Sequence, residues 1–314
     1  MGSDVHTLAR PLRGIVPPMV TPLEDRDAID VPGLERLVEH ILAGGVHGLF
    51  ILGTMGEAPS LSHRLRHELV GRVCAQVKGR VPVLVGIIDT SFIESLSLAQ
   101  NAAEAGADAL VLPAPHYYPA GQPELLEFLR HLVPQLPLPV FLYNLPNRPK
   151  PMFDPETVQA AAAEMPGIVG LKDSSTNMTY FRHLQFLMAD RPDFALLIGP
   201  EMLLAETVLM GGNGGICGGA NLLPRLYVDL YEAAHTGDMA RIQTLHRTVV
   251  QLSRTIYRVG RYESSFLKGL KCALSCLGVC SDFLAEPLHR FRGPEREIVQ
   301  KYIEEFGITT NGIV

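Results

Sequence analysis

No stretch of the sequence is apolar for long enough to cross a membrane. Apolar runs such as 48–52 and 109–112 fall far short of the ~18 residues that a span needs. The first ten residues carry no apolar core, so no secretory leader is expected. There is no block of Lys or Arg: 27 basic residues face 33 acidic ones, for a net charge of −6. That balance argues against nucleic acid or an anionic membrane as the main partner. Cysteine is scarce and odd in number, five in all, which reads as reduced thiols in a cytoplasmic protein. No Gly-x-Gly-x-x-Gly follows the first strand candidate and no Gly-x-x-x-x-Gly-Lys-Ser/Thr occurs, so the nucleotide signatures are missing. His-x-His and His-Glu-x-x-His are absent too, which argues against a metal-dependent aldolase.

What is present is a large core: 47% of residues are hydrophobic and 19% charged, which excludes a disordered chain. Short apolar runs without alternation recur at 14–20, 48–53, 81–87, 109–113, 139–143, 168–172, 195–199 and 214–217. Such runs suit parallel strands buried on both faces. Helical patterns lie between them, as in 31–43, where Leu34, Leu37, Val38, Ile41 and Leu42 share one face. Ser62, Ser91, Asp154 and Asn177 stand where helix caps are needed. Ala43-Gly44-Gly45, Ala105-Gly106-Ala107 and Met210-Gly211-Gly212 mark recurring helix-to-strand joints. Eight β/α units in about 235 residues predict a (β/α)8 TIM barrel over 1–237 rather than a doubly wound sheet. Beyond, 238–314 reads as a C-terminal helical extension, with helices near 239–257, 263–277 and 295–306. The length of 314 residues therefore resolves into one large domain and a remainder.

In a barrel the active face lies at the carboxyl ends of the strands. Lys172 closes the sixth strand candidate. An amine held partly out of water is a nucleophile and can form a Schiff base with a ketone, whereas a lysine that merely snorkels to solvent is the plainer reading. Tyr143 and Tyr118 are phenols near the same face, and Thr54 can link them into a proton path. Each tyrosine taken singly also reads as a core aromatic. The turn at Gly53-Thr54-Met55-Gly56 can offer amides to a carboxylate, and Arg148 can clamp a second one or serve in a surface ion pair. The glycine run 211–219 fits a phosphate cradle or tight packing at a joint. Cys272, Cys276 and Cys280 repeat every four residues on an apolar face, which favours core packing over metal binding.

Taken together, Gly53-Thr54-Met55-Gly56-Glu57, Tyr117-Tyr118, Tyr143-Asn144-Leu145-Pro146 and Gly170-Leu171-Lys172-Asp173 carry a resemblance. In order and spacing the chain resembles the dihydrodipicolinate synthase / N-acetylneuraminate lyase family of pyruvate-dependent barrel enzymes, closest to the synthase branch. The resemblance implies a class I lyase or aldolase in which Lys172 condenses with pyruvate and the adduct meets an aldehyde such as aspartate semialdehyde. It implies proton relay by Tyr143, a hydroxyl link through Thr54 to Tyr118, and carboxylate binding by the amides of Thr54 and Met55. Gly199, Glu201, Cys217 and Asn221 are implied as pocket lining. Tyr118 is implied to cross a subunit interface, in a homotetramer built from tight dimers, with no metal or organic cofactor. Cleavage of N-acetylneuraminate or a 2-keto-3-deoxy sugar acid, and a non-catalytic keto-acid sensor, are the alternatives.

Four departures from the family pattern bear on substrate. Gly199-Pro200-Glu201 lacks the acidic residue that the lyase branch places there for sugar hydroxyls, with Glu201 one residue later as its candidate substitute. Met55 replaces a usual threonine, so only its backbone is available to a carboxylate. Arg148 matches the arginine that meets the second substrate's carboxylate in the synthase branch, but Pro149-Lys150 replaces the usual Thr-Gly after it. Gly86-Ile87-Ile88-Asp89-Thr90 replaces a segment near the family's lysine inhibition site, so lysine feedback is not expected.

Overall fold

The computed structural model describes residues 8–115, 118, 120–145 and 152–313. Eight parallel strands form one sheet: β1 (Gly14–Ile15), β2 (Leu49–Ile51), β3 (Val83–Gly86), β4 (Ala109–Pro113), β5 (Val140–Asn144), β6 (Ile168–Asp173), β7 (Ala195–Ile198) and β8 (Gly214–Gly215). Each pairs with its neighbour in sequence from β2 to β8, and β8 pairs with β1 through Gly14 and Gly214. The ring closes between β1 and β2. There Pro18 bridges Phe50, the Met19 N–H donates to the Phe50 carbonyl at 2.8 Å, and the Phe50 N–H to the Pro17 carbonyl at 2.9 Å. The fold is a TIM barrel.

Helices cover the outside: α1 (Val31–Ala43), α2 (His63–Val77), α3 (Phe92–Glu104), α4 (Gln122–Leu132), α5 (Pro155–Glu164), α6 (Met178–Leu187), α7 (Leu204–Leu209) and α8 (Pro224–Thr236). Ser62, Ser91 and Asn177 accept from backbone amides of the first helical turn, as their positions predict. Asp154 stands at the cap position of α5 but makes no side-chain cap bond; its own N–H donates to Gln122 Oε1. The small antiparallel pair Leu23–Asp25 and Ala28–Ile29, between β1 and α1, was not expected from the sequence. Its strands are too short and polar to show a period.

Apolar side chains sort into two layers. Val16, Phe50, Leu84, Val111, Phe141, Tyr143, Val169, Leu197 and Ile216 fill the barrel interior, joined by Leu8 and Leu12 from the segment ahead of β1. The alternate strand residues, such as Leu49, Val83, Leu110, Leu142 and Leu171, pack against the helices. Past Gly237 come α9 (Met239–Arg254), α10 (Ser265–Cys276), α11 (Gly293–Glu305) and a final short hairpin. This extension shares its hydrophobic cluster with the barrel's outer layer, through residues such as Tyr257, Leu270 and Leu274. Cys272 and Cys280 lie in that cluster and Cys276 packs against it.

Candidate active site

Lys172 faces the barrel interior because of an irregularity three residues before it. In the β5–β6 ladder Val140 pairs with Ile168, but Phe141 pairs with Gly170, so Val169 is an extra residue. A bulge of this kind flips the alternation that follows it. Ile168 packs outward, Val169 and Lys172 inward, and Leu171 outward again. Gly170 makes the bulge sterically possible: a side-chain carbon there would meet the Phe141 ring and the Ala195 carbonyl oxygen. In register with Tyr143, Lys172 is 4% exposed, and its Nζ lies 4.0 Å from the Tyr143 ring centroid and 5.0 Å from that of Phe50. The amine is thus an almost dry nitrogen over two aromatic faces.

Tyr143 is equally buried, and its Oη stands 3.4 Å from Thr54 Oγ1. Thr54 itself is exposed at the end of β2, on a tight turn. Two non-glycine residues in left-handed conformation, Leu52 at φ 56° and Glu57 at φ 58°, bracket that turn. Each costs about 1–2 kcal/mol that surrounding contacts must offset. Gly86 leaves room for the Leu52 carbonyl, which would collide with any larger residue there. Met55 is half-buried against the core cluster, and its Cε would lie 3.7 Å from a side chain grown at Gly218.

Behind the mouth lies a set of buried polar groups. Glu201 is 7% exposed; its carboxylate accepts from the Gly219 N–H at 2.8 Å and from Tyr227 Oη at 2.7 Å, and Tyr257 also bonds it. Burial holds this carboxyl above its ordinary range, and the three donors oppose that. Both oxygens are therefore engaged in holding the turn after β8. Cys217 is fully buried; burial pushes its thiol well above the usual range, Glu201 adds to the effect and Lys172 opposes it. Asn221 accepts from the Val20 N–H at 3.0 Å and donates to the Pro18 carbonyl at 3.0 Å and the Gly218 carbonyl at 2.8 Å, which ties the β8 turn to the closing seam. The Gly199 N–H donates to the Asp173 carbonyl at 2.7 Å. Asp173, fully buried, accepts from the Ser175 N–H and hydroxyl, and burial raises its carboxyl too.

Lys172, Tyr143 and Thr54 therefore come together; Cys217 is near enough to feel the charge of both Lys172 and Glu201, and Asn221 ties the β8 turn to the closing seam. Tyr118 is on the surface of the chain, 78% exposed. Arg148 and Tyr117 lie outside the described residues. Sequence reading missed the supporting groups Asn144, Tyr227, Tyr257 and Lys271. Asn144 carries the clearest signal, since it follows Tyr143 directly; buried, it donates to Tyr180 Oη at 2.7 Å and accepts from the Phe153 N–H at 3.0 Å, fixing the end of β5. A groove of about 940 Å³ between α1, α2 and residues 310–311 holds none of these groups. Among the described residues no cluster of His, Cys, Asp and Glu is arranged to hold a metal, and no helix is long and apolar enough to cross a membrane.

Comparison with known proteins supplies the family. A structure described as dihydrodipicolinate synthase from Bacteroides thetaiotaomicron is 55% identical, superposes with a TM-score of 0.92, and matches over 94% of this chain and 99% of that one. The structure of YagE, a prophage protein of the dihydrodipicolinic acid synthase family from Escherichia coli K12 solved in complex with pyruvate, is 28% identical with a TM-score of 0.88, over 95% and 99% of the two chains. A probable 2-dehydro-3-deoxy-D-pentonate aldolase of Escherichia coli, YjhH, is 33% identical over 85% of this chain and 87% of its own. The Dihydrodipicolinate synthetase family model matches residues 11–306. With that match spanning almost the whole chain, the protein belongs to the dihydrodipicolinate synthetase family.

Proposed function

We propose that the chain is a Schiff-base-forming, pyruvate-dependent lyase that condenses lysine-bound pyruvate with a carboxylate-bearing aldehyde such as aspartate semialdehyde. The observation that carries this reading is the amine of Lys172, turned into the barrel by the bulge at Val169 and held over Tyr143. In this reading the Lys172 nitrogen attacks the keto carbon of pyruvate, and water leaves as the iminium forms. Loss of a methyl proton gives an enamine, whose carbon adds to the aldehyde; hydrolysis then frees the lysine. Tyr143 passes the protons, and Thr54, 3.4 Å away, connects it to Tyr118. Tyr118's exposure suits a phenol that serves a neighbouring subunit in a homotetramer built from tight dimers. The Thr54 and Met55 amides take the pyruvate carboxylate, and Arg148 takes that of the aldehyde. Gly199, Glu201, Cys217 and Asn221 shape the wall. The reading needs no metal or organic cofactor and places the enzyme in the cytoplasm, in keeping with its five free cysteines.

The likeness to a probable sugar-acid aldolase favours a second reading with the same Schiff base. There the chain cleaves a 2-keto-3-deoxy acid and releases pyruvate. Borohydride reduction in the presence of pyruvate, followed by mass spectrometry, tests what the two share. The expected result is a single adduct on Lys172, absent from Lys172→Ala; no adduct on Lys172 refutes both. Pyruvate release from a panel of 2-keto-3-deoxy acids, set against condensation with semialdehydes, separates them. Arg148→Ala should impair the semialdehyde reaction and spare the sugar acids.

A further inference from the structure

The turn that carries Thr54 is anchored from the far end of the chain. The Glu57 N–H donates to the Thr54 carbonyl at 3.1 Å, so a displacement of Glu57 is passed to Thr54 directly. The Glu57 carboxylate accepts from Lys271 Nζ and from the Ala285 N–H, both at 2.8 Å. Lys271, on α10, is fully buried, and its ammonium donates also to the Thr21 carbonyl at 2.8 Å. The Thr21 hydroxyl in turn donates to the Gly56 carbonyl at 2.7 Å. Thus both ends of the short stretch after Met55 are held by one buried network.

That network is a poor means of stabilising a fold. A buried ion pair returns little more than the cost of removing both charges from water, and apolar residues of equal volume serve about as well. What it supplies is a fixed position, and it supplies it to a residue, Glu57, in a strained left-handed conformation beside the candidate site. We propose that Lys271 is a positioning residue: through Glu57 it holds the 53–57 turn in the shape in which the Thr54 and Met55 amides take the keto-acid carboxylate. The C-terminal helices are then part of the framework of the active site. The inference rests on the pyruvate reading above.

The test compares the parent chain, Lys271→Met, and the double variant Glu57→Gln/Lys271→Met. Lys271→Met alone strands a buried carboxylate and should melt at a lower temperature. The double variant, with neither charge, should regain most of that loss. In borohydride trapping, the pyruvate concentration for half-maximal labelling of Lys172 should nevertheless rise about tenfold or more in the double variant, while labelling at saturating pyruvate falls by less than about threefold. Thermal recovery without recovery of pyruvate affinity is the signature of positioning. A folded double variant with the parent's half-saturation overturns the inference alone, as does a double variant that stays unfolded. A parent chain that traps no pyruvate overturns the functional reading and this inference with it.

Discussion

Tyr143 and Lys172 face each other across one rung of the barrel, in register on β5 and β6, with the lysine Nζ 4.0 Å from the phenol ring centroid. The hydroxyl of the same phenol reaches Thr54 on β2's turn. One aromatic side chain thus touches both the candidate nucleophile and the start of the candidate proton path.

Tyr143→Phe removes the hydroxyl and leaves the ring. The fold should be unaffected, since the bond to Thr54 is long and reaches the exposed mouth. Steady-state turnover should drop by about 100-fold or more, the usual contribution of a positioned acid–base group. Turnover within a few-fold of the parent would remove Tyr143 from the proton path.

Gly170→Ala probes the bulge. Its methyl would press on the Phe141 ring and on the Ala195 carbonyl, whose backbone cannot yield cheaply. A loss of about 1–3 kcal/mol is expected for such overpacking, read as a lower melting temperature at fixed protein concentration. Activity should fall further than stability explains, because Lys172 moves with the distorted strand. A variant with the parent's melting temperature and turnover would show that the bulge tolerates a side chain.

Glu201 makes stability depend on pH. Its carboxyl is raised above the ordinary value of 4.5, chiefly by burial. A carboxyl raised in the fold gives its full contribution below pH 4.5 and loses it as pH rises through the elevated folded value. Glu201→Gln lacks that titration. The parent's melting temperature minus the variant's should therefore decrease as pH is raised above 4.5. A difference that stays flat would mean that Glu201 does not titrate as the fold requires.

Cys276 should be the reactive thiol. The hydrogen bond from the Cys272 thiol lowers it to about 7, with help from Arg296 and against the effect of burial. Cys74 and Cys280, by contrast, are pushed up to about 12 by burial. Brief treatment with iodoacetamide, mapped by mass spectrometry, should label Cys276 first, with a rate midpoint near pH 7. Labelling of another cysteine first, or a midpoint near 9, would contradict this.

Much of the barrel is legible in the sequence because its strands are short apolar runs punctuated by glycine. The runs at 109–113 and 168–172 fall within a residue of β4 and β6. Lys172 and Tyr143 are legible for the same reason: each ends such a run. The groups that hold the site are not. Lys271 and Glu57 lie 214 residues apart, and no local period joins a lysine in a helix to a glutamate in a turn. Tyr227 and Tyr257 carry no local signal of their role, since only the fold brings them to Glu201. The failed cap at Asp154 has a simple cause, since cap propensity states where a carboxylate is useful and not whether a bond is made.

The bulge at Val169 changes a parity. Inside and outside alternate along a strand like odd and even numbers, so counting from an outward Ile168 would assign Lys172 to the helices, wedged among hydrocarbon with no ketone to meet. A single uncounted residue changes the parity and delivers the amine to the lumen. In this protein the difference between a lysine wedged in the outer layer and a candidate nucleophile inside the barrel is a miscount of one.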